Sequence, residues 1–176
     1  MKPRTPPPIR AAATADDFAQ ARALFEEYAA WLAVDLCFQG FAEELATLPG
    51  AYAPPRGLLM LAGPADAVIG CIALRPLAAI GVASGAMAMA DVAEVKRLYV
   101  RPIARGTGLG LRLVQTAITG ARGIGYRELK LDTLEQMVEA RSLYAKLGFR
   151  ECAPYYNNPI AGAVYMSLAL QPAGSC

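Results

Sequence analysis

Residues 101–111 read Arg101-Pro102-Ile103-Ala104-Arg105-Gly106-Thr107-Gly108-Leu109-Gly110-Leu111, and this stretch decides the fold. A strand-like run, Val95–Val100, enters it and a helix-like run, Leu109–Ala121, leaves it. Glycines let the backbone approach an anion closely and adopt dihedrals that other residues avoid. The helix that follows points unpaired N–H groups and the positive end of its dipole back at the turn. Strand, glycine turn and helix N-terminus together suit a phosphate. Two familiar phosphate motifs fail on spacing. No Lys-Ser/Thr follows the glycines, as a Walker loop requires, and the spacing is Gly-x-Gly-x-Gly rather than Gly-x-Gly-x-x-Gly. On the glycines alone, an anion cradle and an ordinary strand-to-helix connection both stay open.

A second block lies downstream: Ala140-Arg141-Ser142-Leu143-Tyr144-Ala145-Lys146-Leu147-Gly148-Phe149. Between the two runs a strand candidate, Glu128–Thr133. Arg105-x-x-Gly108-x-Gly110 resembles the acetyl-CoA pyrophosphate loop of the GCN5-related N-acetyltransferases, the GNAT family, and the second block resembles that family's Ala-x-x-x-Tyr-x-x-x-Gly-Phe segment. Both blocks stand in the family's order, and the resemblance spans about residues 8 to 170. It implies an α+β fold in which a central mixed, twisted sheet is flanked by helices.

Working outward, the pattern gives β-α-α-β-β-β-α-β-α-β-β. Ile9–Ala13 is a first strand, and Thr14 can cap a helix with Asp16 and Asp17 in its first turn. Phe18, Ala21, Phe25, Tyr28 and Leu32 recur at helical spacing over about five turns. Phe41–Leu48 is a shorter helix, and Gly57–Ala62 with Val68–Leu74 reads as a hairpin. Met87–Val100 is a long strand, a helix opens at Arg105-Gly106 and ends at Gly123–Gly125, and Met137–Leu147 is a helix stopped by Gly148. Phe149–Ala153 and Ala163–Leu170 are the last strands. The expected organisation is a flexible tail over 1–8, one domain over 9–171 and a short tail over 172–176.

Composition narrows the function classes. The 176 residues suit one domain. A net charge of +2 writes in no pull toward nucleic acid. No apolar run is long enough for a membrane span, and the proline-rich start lacks the apolar segment of a signal peptide; a cytoplasmic protein is expected. Cys37, Cys71, Cys152 and Cys176 lack metal-type spacing, and there is no histidine, so His-based nucleophilic catalysis is excluded and a metal is not expected. Cys37, Cys71 and Cys152 read as small core residues.

The resemblance implies roles. Tyr144 is the candidate acid that protonates the CoA thiolate; the alternative is a core tyrosine packed between Ala140 and Leu147. Glu94 falls where several histone-type members carry a catalytic glutamate and is the candidate base; the alternative is an ion pair with Lys96 or Arg97 that only shapes the site. Strand alternation puts Glu94, Lys96, Leu98 and Val100 on one face, with Val95, Arg97 and Tyr99 on the other. Leu98, Tyr99 and Val100 are expected to bond the pantetheine arm, and Arg105, Gly106, Thr107, Gly108, Leu109 and Gly110 the pyrophosphate. Met137 stands where many members carry an asparagine.

For the acceptor, Asp35–Phe41, Tyr52–Arg56 and Pro154–Pro159 are the expected walls. Tyr155 and Tyr156 line an amine pocket or form a surface turn. Lys96 and Arg97 are candidates for holding an acceptor carboxylate. The expected reaction is acetyl transfer from acetyl-CoA to the primary amine of a small, amino-acid-like molecule. The alternatives are a non-catalytic CoA-binding module and an enzyme acting on protein N-termini or lysines. The apolar stretch Ala78–Ala90 is a candidate homodimer contact.

Overall fold

The structure, a computed structural model, describes residues 6–33, 40–77 and 91–170. Its strands are β1 (Ile9–Ala11), β2 (Leu58–Ala62), β3 (Gly70–Pro76), β4 (Val92–Val100), β5 (Glu128–Leu134), β6 (Arg150–Glu151) and β7 (Ala163–Ala169). The helices are α1 (Ala15–Leu32), α2 (Phe41–Thr47), α3 (Leu109–Ile124) and α4 (Val138–Lys146). The element order is the one expected, and the strands form one mixed sheet in the order β1-β2-β3-β4-β5-β7-β6. Among the described residues only β4 and β5 run parallel. Pro7 and Pro8, expected in a tail, are tied down: the Pro7 carbonyl accepts from Arg112 and the Pro8 carbonyl from the Gly63 N–H.

The sheet separates two cores. On one face α3 and α4 bury Leu109, Leu113, Val114 and Tyr144 against Ile72, Leu74, Val95, Leu129 and Leu131. On the other α1 buries Ala21, Leu24 and Phe25 against Leu59, Leu61, Cys71 and Tyr99. The α1 start is closed by a reciprocal cap: Thr14 Oγ1 accepts the Asp17 N–H, and Asp17 Oδ2 accepts the Ala13 and Thr14 N–H groups. Arg10 pairs with the same carboxylate, which these bonds hold well below its usual pKa.

Two expectations need correction. The helix after the glycine turn starts at Leu109, not at Arg105, because residues 102–104 make a 3-10 turn and Gly106 and Gly108 take left-handed dihedrals. The face assignment along β4 also fails. Ala93, Val95, Leu98 and Val100 share the α3 side, while Tyr99 packs on the α1 side. The cause is a bulge. Cys71 pairs with Tyr99 but Ala73 pairs with Lys96, so Ile72 opposes two residues, and Arg97 has a φ of 58°. One extra residue inverts the alternation beyond it. A non-glycine residue is strained at that dihedral, and Arg97 is fixed there by Glu44, which accepts from its Nε and Nη2 at 2.8 Å each, and by the Phe41 ring 4.9 Å below it.

Parts of the sequence reading lie outside the described residues: Asp35–Gln39 of the first acceptor wall, Ala78–Ala90 of the proposed subunit contact, the start of the long strand at Met87, Cys37 and Cys176. Of the remaining cysteines, Cys71 is buried and Cys152 half-buried.

Candidate active site

The site grows from the parallel pairing of β4 with β5. β4 and β5 pair at Val92–Glu128, Ala93–Leu129 and Glu94–Lys130 and then part. Beyond Glu94, β5 continues on β7 while the β5-facing edge of β4 has no ladder partner among the described residues. Unpaired strand edges are ready to bond an extended ligand. A cleft of about 610 Å³ runs along this edge, walled by Leu98, Tyr99, Val100, Arg105 and Gly110 on one side and by α4 on the other.

At the outer end of the cleft sits the α3 N-terminus. Unlike α1, it has no side-chain cap. Its first N–H groups therefore remain available, and the helix dipole adds positive potential. Gly106 and Gly108 have φ of 74° and 79°, and a Cβ at either would meet nothing within 4 Å. Thr107 Oγ1 closes the turn by donating to the Ala104 carbonyl at 2.7 Å. Arg105 Nε donates to the Val100 carbonyl, and its guanidinium lies 4.7 Å from the Trp31 ring at the cleft wall. Leu109 is buried in the core, so only its backbone can serve a ligand.

At the inner end, where the strands part, lies a small pocket of about 60 Å³ lined by Tyr28, Lys96, Arg97, Asp132, Met137 and Tyr144 among others. Met137 also lines the large cleft, so the two cavities share a wall. Tyr144 comes from α4, its ring 5.7 Å from Phe149. Its hydroxyl makes no hydrogen bond to any described residue. Burial, with Tyr28 and Asp132 nearby, pushes the phenol well above its usual pKa, so it stays protonated at neutral pH.

The face of the sheet below this pocket carries a layer of buried charge. Glu94 is fully buried; Oε2 accepts from Arg75 at 2.9 and 2.8 Å, and Oε1 from the Tyr155 hydroxyl at 2.8 Å and from Lys96 at 3.3 Å. Lys96 also bonds Asp132 Oδ1 at 2.7 Å, while Asp132 Oδ2 accepts from Tyr156 at 2.8 Å and Asn158 at 3.2 Å. Burial alone would raise the Asp132 and Glu44 carboxyls, but Lys96 and Arg97 outweigh it and hold them below their ordinary values. Burial beside Glu94 and Asp132 drives the Tyr155 phenol far upward.

Of the residues expected in the site, Tyr144 and Lys96 line the pocket at the split, and Glu94, Tyr155 and Tyr156 belong to the hydrogen-bonded layer that includes Lys96 and Asp132. The tyrosines are folded over the sheet with Tyr165, ring centroids 5.2 to 5.6 Å apart, rather than forming a surface turn. The partners of Glu94 are Arg75 and Lys96, not Arg97. Arg97 spends the Nε–Nη2 edge of its guanidinium on Glu44, and Lys96 is matched by Asp132 and Glu94. Sequence reading missed Asp132, Arg75 and Glu44. Asp132 gave no local signal: in Glu128–Leu134 it follows Glu128 and Lys130 on the polar phase of the alternation, as an ordinary strand charge would.

Comparison with known proteins identifies the fold family. The model of the acetyltransferase (GNAT) family matches residues 18–149. The chain belongs to the GNAT family. It is 38% identical over 156 residues, covering 88% of each chain, to an uncharacterized N-acetyltransferase of Schizosaccharomyces pombe. Among solved structures it resembles an acetyltransferase of Streptococcus agalactiae, with a TM-score of 0.73 at 19% identity over 94% of this chain and 99% of the other. It also resembles a putative acetyltransferase of Salmonella typhimurium determined with its cofactor acetyl-CoA, with a TM-score of 0.65 at 21% identity over 98% of each chain. As a GNAT protein the chain is an acyltransferase that uses acetyl-CoA. Its own features fit that cofactor: a bare helix N-terminus with open glycine backbone for the pyrophosphate, and a free strand edge for the pantetheine amides. Among the described residues no helix is long and apolar enough to cross a membrane, and no cluster of metal-ligating side chains occurs.

Proposed function

We propose that this protein transfers the acetyl group of acetyl-CoA to the primary amine of a small molecule, by direct attack with both substrates bound. The observation that carries the reading is the parting of β4 from β5, with the cleft on one side of Met137 and the Tyr144 pocket on the other. The cofactor supplies an activated thioester; the chain must orient it, deprotonate the amine and protonate the leaving sulfur.

In this reading the N–H groups at the start of α3 hold the pyrophosphate, and Leu98–Val100 align the pantetheine arm along β4. Tyr144 gives its proton to the leaving thiolate. Its hydroxyl suits that role, since it is protonated and no described residue competes for it. Glu94 is the base, acting through Tyr155. Its carboxylate is fully buried, so an amine reaches it only through the phenol that already donates to Oε1. A free tyrosinate beside Glu94 is unfavourable, so the phenol passes its proton to Glu94 as it takes the proton of the amine. The polar layer and the small pocket favour a compact acceptor over a protein chain.

The test is calorimetric titration with acetyl-CoA and CoA, with NAD as control, followed by thiol release across a panel of primary amines. Micromolar binding of the first two and amine-dependent release are expected. Gly108→Glu, which places a carboxylate in the cradle, should abolish binding. Retained binding in that variant would overturn the phosphate-loop assignment.

A further inference from the structure

We infer that Asp132 is the anchor for the acceptor's ammonium group, which makes the site selective for protonated primary amines. The inference rests on the acetyl-transfer reading and adds the residue that meets the second substrate.

The argument compares two carboxylates on the same face of the sheet. A carboxylate offers about four acceptor positions. At Glu94 they are used by Arg75 Nε, Arg75 Nη2, Tyr155 and Lys96, and the residue is fully buried. At Asp132 the donors are Lys96 on Oδ1 and Tyr156 and Asn158 on Oδ2. One position on Oδ1 remains, and the side chain is 11% exposed.

Location separates them further. Asp132 lines the small pocket together with Tyr144 and Tyr28; Glu94 does not. It stands on β5 two residues past Lys130, the last residue paired to β4, at the point where the strands part. The groups facing it are Lys96 and Arg97 from β4, Tyr28 from α1, Tyr144 from α4, and Tyr156 and Asn158 from the loop before β7. Arg75 bonds Glu94, and Lys96 lies between Glu94 and Asp132, so the two carboxylates share two cations. An ammonium on the open Oδ1 position completes the carboxylate's bonding.

The test uses [13C]methylammonium as probe, with CoA present and no acetyl donor, so that binding is read without turnover. Wild-type protein should give saturation transfer to the probe, with transferred NOEs to the Met137 methyl and the Tyr144 ring. NOEs elsewhere, or none, overturn the anchor even if no variant folds. Asp132→Asn should lose the saturation transfer while still binding CoA, and Asp132→Glu should keep it; equal binding by wild type and Asp132→Asn overturns the anchor. With an amine that turns over, Asp132→Asn should raise the amine KM about 10- to 100-fold, the loss expected for a charge-assisted bond, and leave the acetyl-CoA KM unchanged. Failure of CoA itself to bind would strike the acetyl-transfer reading instead.

Discussion

The two faces of the central sheet are built from alternate residues of the same strands, yet they do different work. On the α3 side, Val95, Leu98, Leu129, Leu131 and Met166 meet a helix stripe of Leu109, Leu113 and Val114. On the opposite side, Arg75, Glu94, Lys96, Lys130, Asp132 and Tyr165 carry charge or a hydroxyl. The apolar face stabilises by burial, which is non-directional and tolerates small adjustments. The polar face holds together only while each charge keeps its partner, since an unpaired buried charge is expensive. The α3 side is apolar along these strands, whereas the opposite side divides between the α1 core and this polar layer, toward which Tyr144 reaches.

That division can be broken most sharply at Tyr144. Tyr144→Phe should lower kcat about 10²- to 10⁴-fold, the usual yield of a positioned proton donor, while acetyl-CoA affinity by calorimetry stays nearly intact. A collapse in affinity would return Tyr144 to the apolar core. Next in size is Arg97→Met, which leaves Glu44 buried without its cation and should cost about 3–5 kcal/mol in urea unfolding. Adding Glu44→Met should recover most of that loss, because a matched apolar pair removes the desolvation problem. No recovery would mean that the guanidinium is needed to hold the bulge itself. Leu113→Ala, on the opposite face, should cost about 2–5 kcal/mol through its cavity, with no change in the pH–rate profile.

Acid should separate the faces too. Glu44 and Asp132 have folded pKa values below their ordinary 4.5 and 3.8. Groups of this kind contribute stability that is present above the ordinary value and lost as pH falls through the folded one. Thermal unfolding should show a steep loss of stability below about pH 4, and the Glu44→Met/Arg97→Met double variant should flatten it. The smallest effect is expected from Tyr165→Phe, which removes a single hydrogen bond to the Tyr156 carbonyl and should cost about 1 kcal/mol.

How much of this was legible beforehand followed the range of the interaction. The α1 cap was readable because Thr14 and Asp17 are three residues apart. The glycine turn was readable because Gly106 and Gly108 alternate within one loop. Tyr144 and Gly148 came as a local block. The β4 faces were misread because nothing in Val95-Lys96-Arg97-Leu98 marks the bulge. Arg97 takes its left-handed dihedral under the hold of Glu44 and Phe41, which stand more than fifty residues earlier. Arg75 and Asp132 were missed for a similar reason: each looks like an ordinary strand charge until its partner is known.

By itself the sequence determined the element order, the phosphate-type turn and the chemical inventory, including a catalysis without histidine. These follow from backbone propensities and hydrophobic periodicity, which act over a few residues. Only the tertiary structure decided which carboxylate meets solvent, which is saturated, and where β4 leaves β5. Those depend on hydrogen bonds and ion pairs between residues about 20 to 60 positions apart. Their energies are set by burial, and burial exists only once the sheet has closed.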